Sequence, residues 1–437
     1  MKNISKILTF HRQFYRSSRR SGVFRNINIV KYFHVKMQNI SKQCRFFLKQ
    51  KKRYCRMTVK EENTYCGEHM EISEGHKNSN GSKSLHTRIK CPLDNSHTCY
   101  ESKLAKHLRV CNAKRLIDAN PEYIVNGINR GDVHLDSPQH IPLSNLDQSV
   151  IASVIKKVEI AYDKLPVIKE LILQHDILDA EINNPDYGNN TKKHLIQNSS
   201  LLGHLVRAKL IQENTCFIEF GAGKGKLTYW LAKVIDNHIK GSTILLVDRS
   251  SHRHKNDNKL RNKQFPVNLI RIRADIADLS LNKIDAVMQS QYKVGIAKHL
   301  CGAATDLMIR CLRQLKEVST VDGLVAAFCC HHRCDYVSYV GKQYLKNCGI
   351  LPEEFPILCS IASWATCGTP KTRNDLHSQN KFELDERESI GRKVKALLNW
   401  GRIEYLSSIG FDSHLYHYIK SEVSLENVCV VATRVKA

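Results

Sequence analysis

The chain is expected to be α/β, with a Rossmann-like doubly wound domain preceded by two small zinc modules. Three observations predict this. A strand, glycine turn and helix meet at residues 217–225; short apolar runs further on each end in an acid or a reactive side chain; and eight cysteines and histidines near the N-terminus fall into two groups of four.

The corner is Phe-Ile-Glu-Phe-Gly-Ala-Gly-Lys-Gly. An apolar lead through Cys216, Phe217 and Ile218 runs into Glu219, then into Gly221, Gly223 and Gly225, and a helical pattern follows from Leu227 to Ile235. Bare backbone at a helix N-terminus lets a nucleotide approach closely. A dinucleotide pyrophosphate would want G-x-G-x-x-G. Here the glycines alternate and an acid sits two residues before the first, where it would repel phosphate and accept hydrogen bonds from an ammonium group. That suits the amino-acid end of S-adenosylmethionine. The next apolar run, Thr243 to Val247, ends at Asp248, placed to take ribose hydroxyls; Leu269 to Ala274 ends at Asp275, near where an adenine amino group would lie. The alternative is a structural glycine turn with solvated acids.

The first metal group is Cys44, Cys55, Cys66 and His69; the second is Cys91, His97, His107 and Cys111. His107 and Cys111 are four apart on a helical stretch, Glu101 to Cys111, and so share a face. Each group is the thiolate and imidazole set that closes a structural zinc site, and neither segment holds enough apolar surface to fold unaided. Two structural Zn2+ ions are therefore expected. The alternative is free thiols beside incidental histidines. Cys99 is left over as packing.

At 437 residues the chain has room for several domains, and no stretch approaches the ~18 apolar residues of a membrane span. Net charge is +25, but residues 1–60 contain 17 of the 67 Lys and Arg and no acid, leaving +8 for the remainder, 50 basic residues against 42 acidic. The basic character is largely N-terminal and suits phosphate backbones. Residues 1–36 read as a basic extension: a mitochondrial transit peptide, a basic arm, or a stretch preceding a true start at Met37. Cytoplasm and nucleus are the other expected locations. The remaining domains are expected at 41–71 and 88–115 for the zinc modules, 72–87 for a linker, 116–195 for an irregular and helical connection, and 196–437 for the Rossmann-like domain. Around the first ligands, Arg45, Lys49, Lys51, Lys52, Arg53 and Arg56 interleave with Phe46, Phe47 and Tyr54, a mix that grips RNA backbone and unstacked bases, although a charge run is often only a solvated face. Within the connection, a helix pair broken at Pro166 is expected between Gln148 and Ile182; a further helix, Ser200 to Ile211, is expected to lead into the glycine-loop strand.

Two further strands are expected from Tyr292, leaving Lys298, His299 and Cys301 at its end, and from Gly323, with Cys329, Cys330, His331, His332 and Arg333 just beyond. Chemistry in parallel sheets gathers outside such ends. Lys298 or His331 is the candidate general base; His299 and His332 are as readily core residues. A metal at the second cluster is disfavoured, because adjacent residues rarely converge on one tetrahedral ion.

Together these motifs resemble the eukaryotic tRNA 2′-O-methyltransferases that modify nucleotide 4 of the acceptor stem. The likeness rests on Cys-Pro-Leu-Asp-x-x-His with His-Leu-x-x-Cys, Tyr-Cys-Gly-Glu-His, Glu-Phe-Gly-Ala-Gly-Lys-Gly-Lys-Leu, Ala-Lys-His-Leu-Cys-Gly-Ala-Ala-Thr-Asp and Cys-Cys-His-His-Arg-Cys, and runs from about Cys44 to the C-terminus. It implies a methyltransferase fold, S-adenosylmethionine as cofactor and tRNA as substrate. The Lys-Asp-Lys-Glu tetrad of other ribose methyltransferases has no plain counterpart, since Lys298 stands where an acid often sits. Ser360 to Gly368 also resembles a family segment, with Trp364 either on substrate or in the core. Other readings are a methyltransferase for an RNA base or protein side chain, and a non-enzymatic RNA-binding zinc protein.

Overall fold

The computed structural model describes residues 43–48, 53–55, 57–59, 63–66, 69, 88–119, 121–131, 138, 141–235, 239–250, 252, 255–261, 267–317, 321–365 and 384–435. The basic extension, the linker at 72–87, Lys49, Lys51, Lys52, Arg56 and Thr366 to Gly368 lie outside them. Two compact units result: the described residues up to Ile89 with Tyr100–Ser102, and Lys90–Cys99 with Lys103 onward.

In the first unit, β1 (Phe47–Leu48) and β2 (Arg53–Tyr54) pair antiparallel, Phe47 opposite Tyr54. Its buried core is Cys44, Cys55 and Cys66, backed by Phe46, Val59 and Tyr65. That is too little apolar surface to offset chain entropy without a cross-link.

β3 (Arg88–Cys91) and β4 (Asp94–Tyr100) form a two-stranded sheet, followed by α1 (Leu104–Val110). Cys111 falls just past α1 in extended conformation, φ −63° and ψ 133°, rather than on the helix as expected. Residues 112–119 are also helical (α2, Asn112–Ala119), running across the boundary expected between the second zinc module and the connection; no Pro or Gly interrupts them before Pro121.

The expected helix pair is half correct. α3 (Gln148–Tyr162) forms, capped by the Asp147 carboxylate accepting from Ser149 N. Just beyond Pro166 the chain is extended, and β5 (Lys169–Glu170) joins a sheet edge, with Leu171 N bonding His417 O at 3.0 Å; up to Ile182, helix returns only as a 3₁₀ turn at Asp176–Leu178 and one short turn at Asp179–Ile182. Helical spacing of Ile168, Leu171 and Ile172 was outweighed by an edge offering backbone partners. The next helix, α4 (Asn189–Arg207), starts earlier and stops sooner than expected.

The main sheet follows: β6 (Thr215–Phe220), α5 (Lys226–Ile235), β7 (Thr243–Asp248), β8 (Asn268–Arg273), β9 (Tyr292–Cys301), α6 (Ala303–Arg313) and β10 (Gly323–Cys329). Helices α7 (Phe355–Ala362) and α8 (Leu384–Ser408) lead to β11 (Phe411–His417) and β12 (Val428–Arg434). Strand order is β5-β11-β12-β10-β9-β6-β7-β8, and β12 runs antiparallel to both its neighbours. The chain moves outward through β6, β7 and β8, then crosses back to β9 and β10, so the switch point lies between β6 and β9.

Both faces of this sheet are covered, which is why its strands read as unbroken apolar runs. On β6, Cys216, Ile218 and Phe220 join one core cluster with Leu245, Val247 and Ala297, while Phe217 joins the other with Leu246, Ile296 and Leu231. A third cluster unites α3, α7 and α8 through Val154, Val158, Leu358, Val394 and Leu397. One buried ion pair ties α8 to α6: Arg402 Nε and Nη2 donate to Asp306 Oδ1 and Oδ2 at 3.1 and 2.8 Å, with both side chains fully buried. Arg402 also donates to Asn399 Oδ1 and lies over Phe328 and Tyr339, so its fork is saturated.

Candidate functional site

The glycine loop leaves the tip of β6 at the switch point. Gly221, Gly223 and Gly225 all have positive φ, +65°, +52° and +67°. At Gly225 the requirement is steric as well: an added Cβ would stand 3.0–3.1 Å from Arg271, Asp257 and Leu246. Glu219 is buried on β6 and accepts from Thr228 N, 3.1 Å, and from the Thr228 hydroxyl, both through Oε2. Oε1 has no hydrogen-bond partner among the described residues, so one acceptor is kept for an incoming donor. Burial raises the Glu219 carboxyl to about 7, opposed by Thr228.

Asp248 ends β7. Its Oδ2 accepts from Gly223 N and its Oδ1 from Ser250 N, each at 2.7 Å; Oδ1 also faces His252 Nε2 at 3.3 Å, so Oδ2 is the oxygen that retains lone-pair capacity for a hydroxyl. Asp275 follows β8 and caps a short 3₁₀ turn, accepting from Ala277 N at 3.0 Å. A cavity of about 210 Å3 beside this corner is lined by Asp248, Ser250, Lys255, Asp257, Arg271 and Arg273. Glu219, Asp248, Asp275 and the glycine loop share a rim only in lying at the C-terminal ends of the adjacent strands β6, β7 and β8, and Asp248 alone of these three acids lines that cavity; an unpartnered carboxylate oxygen with bare backbone fits an amino-acid-bearing nucleoside.

A pair that the motif pattern did not reveal holds this rim. Arg271 Nε and Nη2 donate to Asp257 Oδ2 and Oδ1 at 3.0 and 2.9 Å, and its Nη1 donates to Gly223 O at 3.1 Å. A bidentate fork that also ties down a loop carbonyl fixes loop geometry. The charge of Arg271 between Ile270 and Ile272 of β8 was the available signal.

Lys298 sits near the end of β9, 8 % exposed, its Nζ donating to Asn198 Oδ1 at 2.8 Å and His194 O at 3.2 Å on α4. Burial pulls its ammonium down to about 7, Lys226 adds to this and Glu219 opposes it. Burial likewise holds the neighbouring His299 at about 4. His331 has different surroundings. It is buried beyond β10, its Nε2 is 2.7 Å from Asn399 Oδ1, and burial, then Arg402 and Lys395, hold it well below the usual histidine range. It lines a separate cavity of about 450 Å3 with Phe328, Lys395, Trp400 and Glu426, which includes none of the glycine-loop acids. Trp364 is half-buried against the third core cluster.

The two metal groups each converge. Cys44 and Cys66 Sγ lie 3.5 and 3.2 Å from His69 Nδ1, and Cys55 Sγ is 4.0 Å from Cys66 Sγ. In the second, His97 and His107 present Nε2 atoms 3.1 Å apart, Cys91 and Cys111 Sγ are 3.9 Å apart, and the cross distances are 3.3 and 3.5 Å. Zinc–ligand bonds of about 2.0–2.3 Å make tetrahedral edges of about 3.3–3.8 Å, so both sets fit one ion each. Phe46 stacks on His69 at 4.1 Å, fixing the ring. Cys99 is buried and belongs to neither group. No helix among the described residues is long and apolar enough to cross a membrane.

Comparison with known families matches three segments: "CCCH zinc finger in TRM13 protein" over residues 42–70, "U11-48K-like CHHC zinc finger" over 88–112, and "Methyltransferase TRM13" over 196–433. Among curated proteins, the mouse (Mus musculus) "tRNA:m(4)X modification enzyme TRM13 homolog" is 33 % identical, covering 90 % of this chain and 94 % of its own length. The Homo sapiens homolog is 34 % identical over 89 % and 94 %, and the Saccharomyces cerevisiae enzyme 29 % over 89 % and 95 %. Methyltransferase and zinc-finger identities make S-adenosylmethionine and zinc the cofactors. The chain is therefore a methyltransferase with paired zinc fingers, and it belongs to the TRM13 methyltransferase family.

Proposed function

We propose that the chain transfers a methyl group to a ribose 2′-hydroxyl of tRNA, at nucleotide 4 of the acceptor stem. The observation that carries this reading is Lys298: a buried amine near the end of β9, at the sheet's switch point, titrating at about 7. A ribose hydroxyl must lose its proton as carbon arrives, and a neutral amine can take it at physiological pH. Support for tRNA comes from the names of the relatives and from the exposed Arg45, Phe47 and Tyr54 on the first zinc module.

S-adenosylmethionine supplies an electrophilic methyl group. The chain's residues bind and orient. Glu219 Oε1 would hold the amino end, Asp248 the ribose and Asp275 the adenine, while Arg271 holds the loop that they surround. Lys298 Nζ would take the 2′-hydroxyl proton as that oxygen accepts the methyl group the cofactor would supply. His331, bonded to Asn399, positions the chain beyond β10. Cys44, Cys55, Cys66 and His69 hold one zinc and Cys91, His97, His107 and Cys111 the other, giving each module a shape that can present its basic and aromatic residues to phosphate.

The test is incubation of the full chain with S-adenosylmethionine and total tRNA, followed by nucleoside mass spectrometry. A new 2′-O-methyl nucleoside is the expected product, and a methylated base would overturn the ribose assignment.

A further inference from the structure

Beyond the two zinc fingers lies a third convergence of thiols. Cys301 on β9 and Cys329 on β10 are in-register neighbours on adjacent parallel strands, and their Sγ atoms are 3.2 Å apart. Cys330 joins them, all three sulfurs lying within 4.8 Å of one another. Consecutive residues on an extended strand would face opposite sides. Cys330 instead adopts a left-handed conformation, φ 49° and ψ 47°, uncommon for a residue with a Cβ, and this turn brings its thiol into the group with Cys329. The sequence argument against metal at this cluster assumed that all ligands were contiguous; the missing partner comes from the neighbouring strand.

The surroundings are built for charge. Gly302, directly after Cys301, has φ 59°, and any Cβ there would collide with the backbone carbonyl of Arg333, so the loops after β9 and β10 are pressed together around the thiols. The 11-residue helix α6 begins at Ala303, and its positive end favours thiolate at Cys301. On the other side, Cys330 N donates to Glu426 Oε1 at 3.3 Å, and Glu426 Oε2 is held by Lys395 at 2.6 Å. Cys329 is buried, whereas Cys301 is exposed. The group therefore offers three sulfur ligands with one side open to solvent.

We propose that Cys301, Cys329 and Cys330 form a third metal site, taking a thiophilic divalent cation such as zinc through three thiolates and leaving its fourth position open. A dithiol redox pair would need only Cys301 and Cys329 and would give the left-handed Cys330 no role. Three donors with a vacant corner are instead the pattern of zinc sites that admit an exogenous ligand. The site stands at the end of β9, three residues after Lys298, where it would pin the tips of β9 and β10 together.

Anaerobic titration of the reduced, metal-free full chain with Co2+ tests this, read by thiolate-to-cobalt charge-transfer absorbance. Three equivalents are expected, falling to two in Cys301→Ala, whose exposed side chain can be removed with little effect on packing. An endpoint of two equivalents in the parent overturns the proposal, whether or not the variant folds. So does a thiol count, on protein purified without reductant, that is lower by two in the parent than the sequence predicts and unchanged by Co2+.

Discussion

The first zinc module and the methyltransferase domain are stabilised by opposite means. The module's core is three cysteines backed by three half-buried side chains, and its four donor atoms do the work of holding the chain. The domain has two large apolar clusters on the faces of one sheet and a third among its helices. One folds around an ion, the other around buried hydrocarbon, so they should fail under different conditions.

Chelation gives the widest separation. Structural zinc contributes ~10 kcal/mol or more to a module of this kind. Stripping zinc from the full chain should weaken tRNA binding by at least about tenfold at constant salt, with S-adenosylmethionine affinity changed less than about twofold. Filter binding and calorimetry read the two. Parallel loss of both affinities would end the division of labour.

Within the domain, Lys298→Met should lower kcat by about 10²–10⁴ while leaving tRNA affinity near the parent value. The parent's rate should climb with pH through about 7 and then level, because proton acceptance needs the neutral amine and the folded-state value is about 7. Below that pH Glu219, also near 7, gains a proton and loses its hold on an ammonium group, steepening the acid limb. A flat profile in the parent would remove Lys298 from the reaction.

Arg402→Ala should cost about 3–5 kcal/mol in denaturant unfolding, since Asp306 would be left buried and unpaired. A loss under about 1 kcal/mol would mean that the α6–α8 tie is incidental. The smallest effect is expected at Asp248→Asn. Its backbone hydrogen bonds can partly re-form, so S-adenosylmethionine affinity should drop about tenfold, and parent-like affinity in calorimetry would take Asp248 out of the pocket.

Much of the sheet was readable because strands buried on both faces carry continuous apolar runs: β6, β7, β9 and β10 are plain in the sequence, as are the glycine loop and the eight metal-type ligands. β5 was misread, since two exposed residues at an edge carry no pattern and are fixed by Tyr416 and His417 far along the chain. β11, Phe-Asp-Ser-His-Leu-Tyr-His, is too polar to announce itself and went unnoticed. The Arg271–Asp257 clamp, the Asp306–Arg402 pair and the entry of Cys301 into the Cys329–Cys330 group share one cause. Each joins residues 14 to 96 positions apart, and local spacing has no access to that distance.

The antiparallel strand β12 has a consequence for how the molecule is made. It occupies residues 428–434 yet lies between β10 and β11, in the interior of the sheet. During synthesis, five neighbouring strands can emerge and collapse while β10 still exposes one side of its backbone to solvent or to a chaperone. Closure waits for Val428–Arg434 to leave the ribosome. A truncation that removes residues 428–434 should therefore abolish activity, despite sparing the glycine loop, Lys298 and both zinc modules.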